Sequence, residues 1–320
     1  MSLRLQFLRV PVQVVTSNYY NYYYNMHNMP SEQITQTISL LRQIGPLDVN
    51  TMTVQDMRMI YEQVGDAYSV RPDITVEEIE LGGVKAEKIY RDSSDMNRAI
   101  LYLHGGGYVI GSLKSHRELA SRLATAASAV IYLIDYPLAP EHPFPAAVEA
   151  AKSAYREIVR LGVPVGVAGD SAGGGLALAL LVALRDERAM TARATALLSP
   201  WLDLTLSGDS LSSRADRDPV VNKAQLMQWV SYYLNDNDPK SPLASPLFAD
   251  LSGLPPIYIQ VGTEEVLYDD SSRLLERGDD GVTLDDFDGC IHVFQQFSPD
   301  SPEAVEALDR LGGFFKTHLA

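Results

Sequence analysis

One cysteine in 320 residues, Cys290, excludes an internal disulfide and a cysteine-based zinc site. Such a chain suits a reducing compartment, and the cytoplasm is the expected location. Also lacking is any run of the roughly 18 uninterrupted apolar residues that a membrane-spanning helix needs. Residues 1–15 mix arginine with apolar side chains, but Pro11 and Gln13 interrupt them and no clean small-residue cleavage site follows, which disfavours a signal peptide. Basic side chains are scarce as well. Twenty-six Lys and Arg stand against 41 Asp and Glu, a formal charge of −15. That field repels phosphate backbones and anionic lipid surfaces, so neither nucleic acid nor stable membrane insertion is expected.

What is present is a globular composition, 46% hydrophobic and 21% charged. The length suits one large catalytic domain with an accessory cap, or at most two ordinary domains. Residues 18–24, Asn-Tyr-Tyr-Asn-Tyr-Tyr-Tyr, form a small biased patch. Helical patterns follow at 31–44, with Ile34, Ile38 and Leu41 on one face, and at 53–68, where Thr53 and Asp56 resemble a capping box. From Thr75 the period changes. Two β runs, at 76–81 and 86–90, flank Gly82-Gly83 and read as a hairpin. Strands at 100–103, 130–134 and 165–168 then alternate with helices at 116–127, 146–159 and 172–185, the rhythm of a parallel sheet wound by helices. It continues with a strand at 195–198 and breaks into a polar stretch with a helix at 223–234. Beyond the break come a strand at 257–261, a helix at 267–277, a strand at 283–287 and a last helix from about 302. The expected division is an N-terminal helical segment, 1–74, a core in two parts, 75–204 and 236–320, and an insertion, 205–235.

Gly169-Asp170-Ser171-Ala172-Gly173 fits Gly-x-Ser-x-Gly and lies directly between a strand and an Ala/Leu-rich helix. A serine on that sharp turn needs small neighbours on both sides, and the helix N-terminus favours negative charge developing beside it. A glycine-rich phosphate loop is the bland rival, but no lysine follows the glycines. His104-Gly105-Gly106-Gly107 ends the strand at 100–103. Such glycines bring bare backbone N–H groups to a ligand, which makes Gly106, Gly107 and Ala172 the candidate donors to an oxyanion. Loss of one such donor costs on the order of 3 kcal/mol.

A serine nucleophile needs a base, and there are six histidines. His104 belongs to the glycine loop, His27 to the helical opening, and His116 and His142 precede the serine, whereas hydrolases of this motif run Ser, acid, His. His318 stands near a terminus that can fray, so His292, after Gly289, is the candidate base. The acid belongs in the loop after the strand at 257–261, where Glu264, Glu265, Asp269 and Asp270 compete. Local chemistry does not choose among them, since acids at a helix start are also ordinary dipole partners. The run Asp285-Asp286-Phe287-Asp288 lacks ligand spacing and reads as a solvated loop, so neither metal nor organic cofactor is expected.

Over residues 75–320 the chain resembles the hormone-sensitive-lipase-like family of α/β-hydrolase serine esterases, closest to bacterial carboxylesterases and monoterpene ε-lactone hydrolases. The likeness rests on His-Gly-Gly-Gly, Asp-Tyr-Pro-Leu-Ala-Pro-Glu at 135–141, Gly-Asp-Ser-Ala-Gly-Gly and Gly-Cys-Ile-His at 289–292. Ser-Pro-Trp-Leu-Asp-Leu at 199–204 and Gly-Leu-Pro-Pro at 253–256 add to it. The resemblance implies the α/β-hydrolase fold, a mostly parallel sheet with helices on both faces and a helical cap. It also implies hydrolysis of short- to medium-chain esters, with lactone or amide hydrolysis as alternatives on the same site. Aligning the family's Asp-Pro-Leu places Glu265-Val266-Leu267 on it, making Glu265 the acid, with Asp269 as the alternative. Where the family has arginine this chain has Pro137, which removes a cation beside the glycine loop. By the same resemblance Tyr22 to Tyr24, Trp229 or Tyr233 are pocket candidates, although ordinary packing explains each as well, and the family's members often form homodimers through a sheet edge. A receptor that has lost catalysis is the rival on this fold, opposed by the intact Ser171 and His292.

Overall fold

In the computed structural model, which describes residues 30–189, 192–278 and 281–320, eight strands form one sheet in the order β1-β2-β4-β3-β5-β6-β7-β8. The strands are β1 (Ile74–Leu81), β2 (Val84–Arg91), β3 (Ala99–Leu103), β4 (Val130–Ile134), β5 (Val165–Asp170), β6 (Ala192–Leu198), β7 (Ile257–Gly262) and β8 (Val282–Phe287). β1 pairs antiparallel with β2, and β2 antiparallel with β4; every other pairing is parallel. The hairpin turns on Gly82 and Gly83, with φ of 59° and 84°. Positive φ at both central residues is what a tight turn matched to strand twist requires.

The central strands carry no polar alternation. Every residue of β3 (AILYL), β4 (VIYLI) and β5 (VGVAGD) is buried, as parallel strands covered on both faces must be. Helices α1 (Glu32–Ile44) and α2 (Val54–Ala67) precede the sheet; α3 (Leu113–Ala127), α4 (Ala146–Val159) and α5 (Ala172–Asp186) connect its parallel strands. One face is covered by α4 and α5, whose Val148, Ala151, Ile158, Leu176 and Leu180 join the larger core. The other is covered by α3 and the last helix, through Leu119, Leu123, Leu308, Leu311 and Phe315. Residues 172–184 of α5 are all buried, which explains why its sequence is apolar around the whole circumference.

Between β6 and β7 the chain leaves the sheet to form a single-turn helix α6 (Ser210–Ser213) and then α7 (Lys223–Leu234); α8 (Tyr268–Arg277), a second single turn α9 (Phe294–Phe297) and α10 (Pro302–His318) complete the order. One turn is too short to show a 3.6-residue period, and α6 and α9 left no signal in the sequence. The capping box at Thr53 and Asp56 is formed at the start of α2. Helix α1 docks through Ile34 on Phe287, Cys290, Ile291 and Phe294, the segment that carries His292. Glu303 at the start of α10 accepts hydrogen bonds from the backbone and hydroxyl of Ser31, at 2.6 and 2.7 Å. The tyrosine patch at 18–24 lies outside the described residues.

Candidate active site

Ser171 stands between β5 and α5 with φ 51° and ψ −121°, a left-handed conformation forced by the reversal from strand to helix. The turn closes so tightly that a Cβ on Gly173 would fall 2.0 Å from the carbonyl oxygen of Leu103. That proximity is the physical reason for the small residues around the serine. From the loop after β8, His292 brings Nε2 to 2.9 Å from Ser171 Oγ. Its Nδ1 lies 2.9 Å from Oε2 of Glu265, which comes from the loop after β7. All three side chains are buried.

The remaining carboxylates of that loop are engaged elsewhere. Glu264 faces Arg217 at 3.1 Å, Asp269 accepts from the backbone of Ser210 at 2.8 Å, and Asp270 accepts from the backbones of Leu202 and Asp203 at 2.6 and 2.9 Å. Asp269 therefore sits on α8 away from the imidazole. Glu265 is itself held: its Oε1 accepts from Gly262 N at 2.6 Å and from Ser199 Oγ at 2.7 Å, while Ser199 Oγ accepts from Val293 N at 3.0 Å. Ser199, at the end of β6, thus ties the loop of Glu265 to the loop of His292.

Burial of the His292 imidazole works to lower its pKa, but the hydrogen bond and charge of Glu265, with Asp218 and Asp170 further off, outweigh it and raise the pKa above the ordinary 6.5. His104, buried and stacked on Tyr136 at 4.2 Å, goes the other way: burial and the neighbouring His116 push it down to about 3, so it stays neutral. His27 lies outside the described residues, and His318 packs against Phe314 at the end of α10.

Beside Ser171, the backbone N–H groups of Gly106, Gly107 and Ala172 meet no acceptor among the described residues. Gly107 has φ 61°, and a Cβ there would lie 1.9 Å from the ring of Trp229. A residue that sequence reasoning did not single out holds this loop: buried Asp170 accepts from Gly105 N at 3.1 Å and Tyr102 Oη at 2.9 Å, and faces His116 Nε2 at 3.3 Å. A second is Asp218, which accepts from Val220, Val221 and Val266 N–H groups and so binds the pocket wall to the loop of Glu265. A third, Arg58 of α2, supplies a cation beside the glycine loop that Pro137 does not. Its guanidinium donates to the carbonyls of Val109 and Ala139, both at 2.9 Å, and forks onto Glu141 at 2.7 and 2.8 Å.

The pocket over Ser171 is a cleft of about 650 Å³ including its open mouth. Leu41 and Leu47 wall it on one side, and Val220, Val221 and Trp229 on another. Tyr233 does not line it; its ring stacks on Tyr108 at 3.8 Å. Tyr22 to Tyr24 lie outside the described residues. The acidic run is engaged by neighbours: Asp285 by Tyr258 and Arg310, Asp286 by Tyr268, and Asp288 by Thr263. No helix among the described residues is long and apolar enough to cross a membrane.

A wound, mostly parallel sheet with a serine elbow, a histidine and a carboxylate on its successive loops is the architecture of an α/β hydrolase, and the profile of the alpha/beta hydrolase fold family matches residues 100–296. The chain is 39% identical over 288 residues to an acetyl-hydrolase of Streptomyces hygroscopicus, covering 88% of this chain and 96% of that one. It is 36% identical over 265 residues to an esterase of Acinetobacter venetianus, covering 81% and 87%. A crystal structure of an esterase from the bacterial hormone-sensitive lipase family superposes with a TM-score of 0.87 at 40% identity, covering 91% of this chain and 100% of that one. EstE5, in a crystal soaked with p-nitrophenyl butyrate, gives 0.86 at 39% identity, covering 90% and 99%. The chain belongs to the hormone-sensitive-lipase-like family of α/β hydrolases and is a serine ester hydrolase.

Proposed function

We propose that the chain hydrolyses short- to medium-chain carboxylic esters through an acyl-enzyme on Ser171. One observation carries this reading: His292 bridges Ser171 Oγ and Glu265 Oε2 with a 2.9 Å contact on each ring nitrogen. Neutral His292 takes the serine proton at Nε2 as Oγ attacks the ester carbonyl, while Glu265 accepts from Nδ1–H and stabilises the imidazolium. The N–H groups of Gly106, Gly107 and Ala172 receive the oxyanion. His292 then returns the proton to the departing alkoxide. Water, deprotonated by the same imidazole, frees the acid. Helices α1 and α2, with residues 205–235, act as the cap over the cleft. The bounded, mostly apolar walls support short acyl groups, as do the name of the Streptomyces relative and the butyrate ester soaked into EstE5.

The test is a 4-nitrophenyl ester series from acetate to palmitate with the wild type and Ser171→Ala. Turnover is expected to peak at or below about eight acyl carbons and to vanish in the variant, with circular dichroism unchanged. Wild-type turnover in Ser171→Ala sinks the mechanism. A maximum at palmitate sinks only the chain-length reading.

A further inference from the structure

Two polar side chains of α7 border the cleft and carry buried polar atoms with no partner among the described residues. Gln225 and Trp229 are four residues apart, hence on one face of the helix, and both line the pocket. Their exposures are 2% and 5%. Gln225 Oε1 and Trp229 Nε1 are shielded from solvent, and neither has a hydrogen-bond partner among the described residues. The side-chain nitrogen of Gln225 likewise donates to no described group, and only its backbone N–H is bonded outside the helix, to Asn222 Oδ1.

Folded proteins leave few buried polar atoms unpaired. Tyr61 and Asp170, polar residues that line the same cleft, have hydrogen-bond partners, to Gln296 and to Tyr102 and Gly105, whereas an apolar side chain at 225 would have served packing equally well. The pair is also close to the chemistry. The six-membered ring of Trp229 lies against Gly107, whose N–H is assigned to the oxyanion, so the indole stands next to the loop that would hold the scissile carbonyl.

Resting on the esterase reading above, we infer that the cleft is built for an ester bearing a hydroxyl or secondary amide near its scissile bond, with Gln225 and Trp229 as specificity-determining residues. Such a group both donates and accepts. It gives its proton to Gln225 Oε1 and takes one hydrogen bond from Trp229 Nε1–H; with the amide turned over, Gln225 donates and the substrate oxygen accepts from both. A plain alkyl ester leaves the two protein groups dry and unpaired in the closed complex. Sites of that kind discriminate against the analogue lacking the polar group.

The hydroxyl could belong to the acyl or to the alcohol half, and two matched pairs of esters separate these sources. With the full chain, acid release is followed by pH-stat on ethyl butyrate against ethyl 3-hydroxybutyrate, and on propyl butyrate against 2-hydroxypropyl butyrate. In at least one pair kcat/KM for the hydroxylated ester exceeds that for the plain one by about 10-fold, the scale of one net hydrogen bond. Gln225→Leu and Trp229→Phe, the second of which keeps a ring against Gly107, each bring that ratio close to one. Because the ratio is taken on one preparation, a variant that is partly unfolded still reports it. Equal kcat/KM within both pairs for the wild type, or a preference that survives both substitutions, overturns the inference and leaves the esterase reading standing. No turnover of any of the four esters by folded wild type sinks that reading, and the inference with it.

Discussion

Oε2 of Glu265 and Nδ1 of His292 stand 2.9 Å apart in a buried contact, while the other oxygen of the same carboxylate is held by Ser199 and Gly262. Both oxygens being fixed, the extra methylene of glutamate over aspartate is taken up by the loop and not by disorder of the carboxylate. Glu265→Gln is therefore expected to lower kcat by about 10⁴, the scale seen when a triad carboxylate becomes an amide and the histidine is held in the wrong tautomer. Asp269→Asn, whose carboxylate meets Ser210, should cost less than about 10-fold. Steady-state kinetics of both variants decide; the reverse ranking removes Glu265 from the mechanism.

The pH profile follows from the same contact. In the proposed mechanism the base is neutral imidazole, so activity is expected above its pKa and lost as pH falls through it. Since that pKa is raised above 6.5, kcat/KM should fall on the acid side at a pH higher than an unperturbed histidine would give. In Glu265→Gln the main raising influence is gone, and the residual activity should have its acid limb at lower pH. A limb that stays in place across the two proteins would show that another group is titrating.

Arg58 gives a prediction about the brace. Hydrogen bonds to a charged donor contribute about 1.5–3 kcal/mol, and here two carbonyls and Glu141 share one guanidinium that is 28% exposed. Arg58→Ala should lower unfolding free energy by about 2 kcal/mol in urea titration and reduce kcat/KM, because Val109 stands two residues beyond Gly107 of the glycine loop. Arg58→Lys should recover only part, since an ammonium cannot fork in a plane. Unchanged stability and rate in Arg58→Ala would show that the loop needs no brace.

What could be read from the chain, and what could not, divides by range. β3, β4 and β5 were legible because a strand buried on both faces writes its burial as an unbroken apolar run, and α2 because its cap lies three residues from its own start. A local motif and chain order singled out Ser171 and His292, whose side chains meet at 2.9 Å. The carboxylate that meets the imidazole was not legible in the same way, because Glu264, Glu265, Asp269 and Asp270 look alike in sequence; only the family alignment singled out Glu265, whose Oε2 lies 2.9 Å from His292 Nδ1. Asp218 and Arg58 left no local signal, and Asp170 and Ser199, although they stand inside recognised motifs, gave no sign of what they hold. Ser199 meets Glu265 across 66 positions and Val293 across 94, and Arg58 meets Glu141 across 83. Such roles exist only in the packed chain.

The distance along the chain between Ser171 and His292, 121 positions, also sets when the site can exist during folding. Ser199 joins the two loops only after β6, β7 and β8 have aligned, and contacts so far apart in sequence form late and slowly. Hydrolytic activity thus reports the last strand's arrival: on refolding from denaturant, helix content and sheet signal should recover first, and turnover of a chromogenic ester should lag behind them.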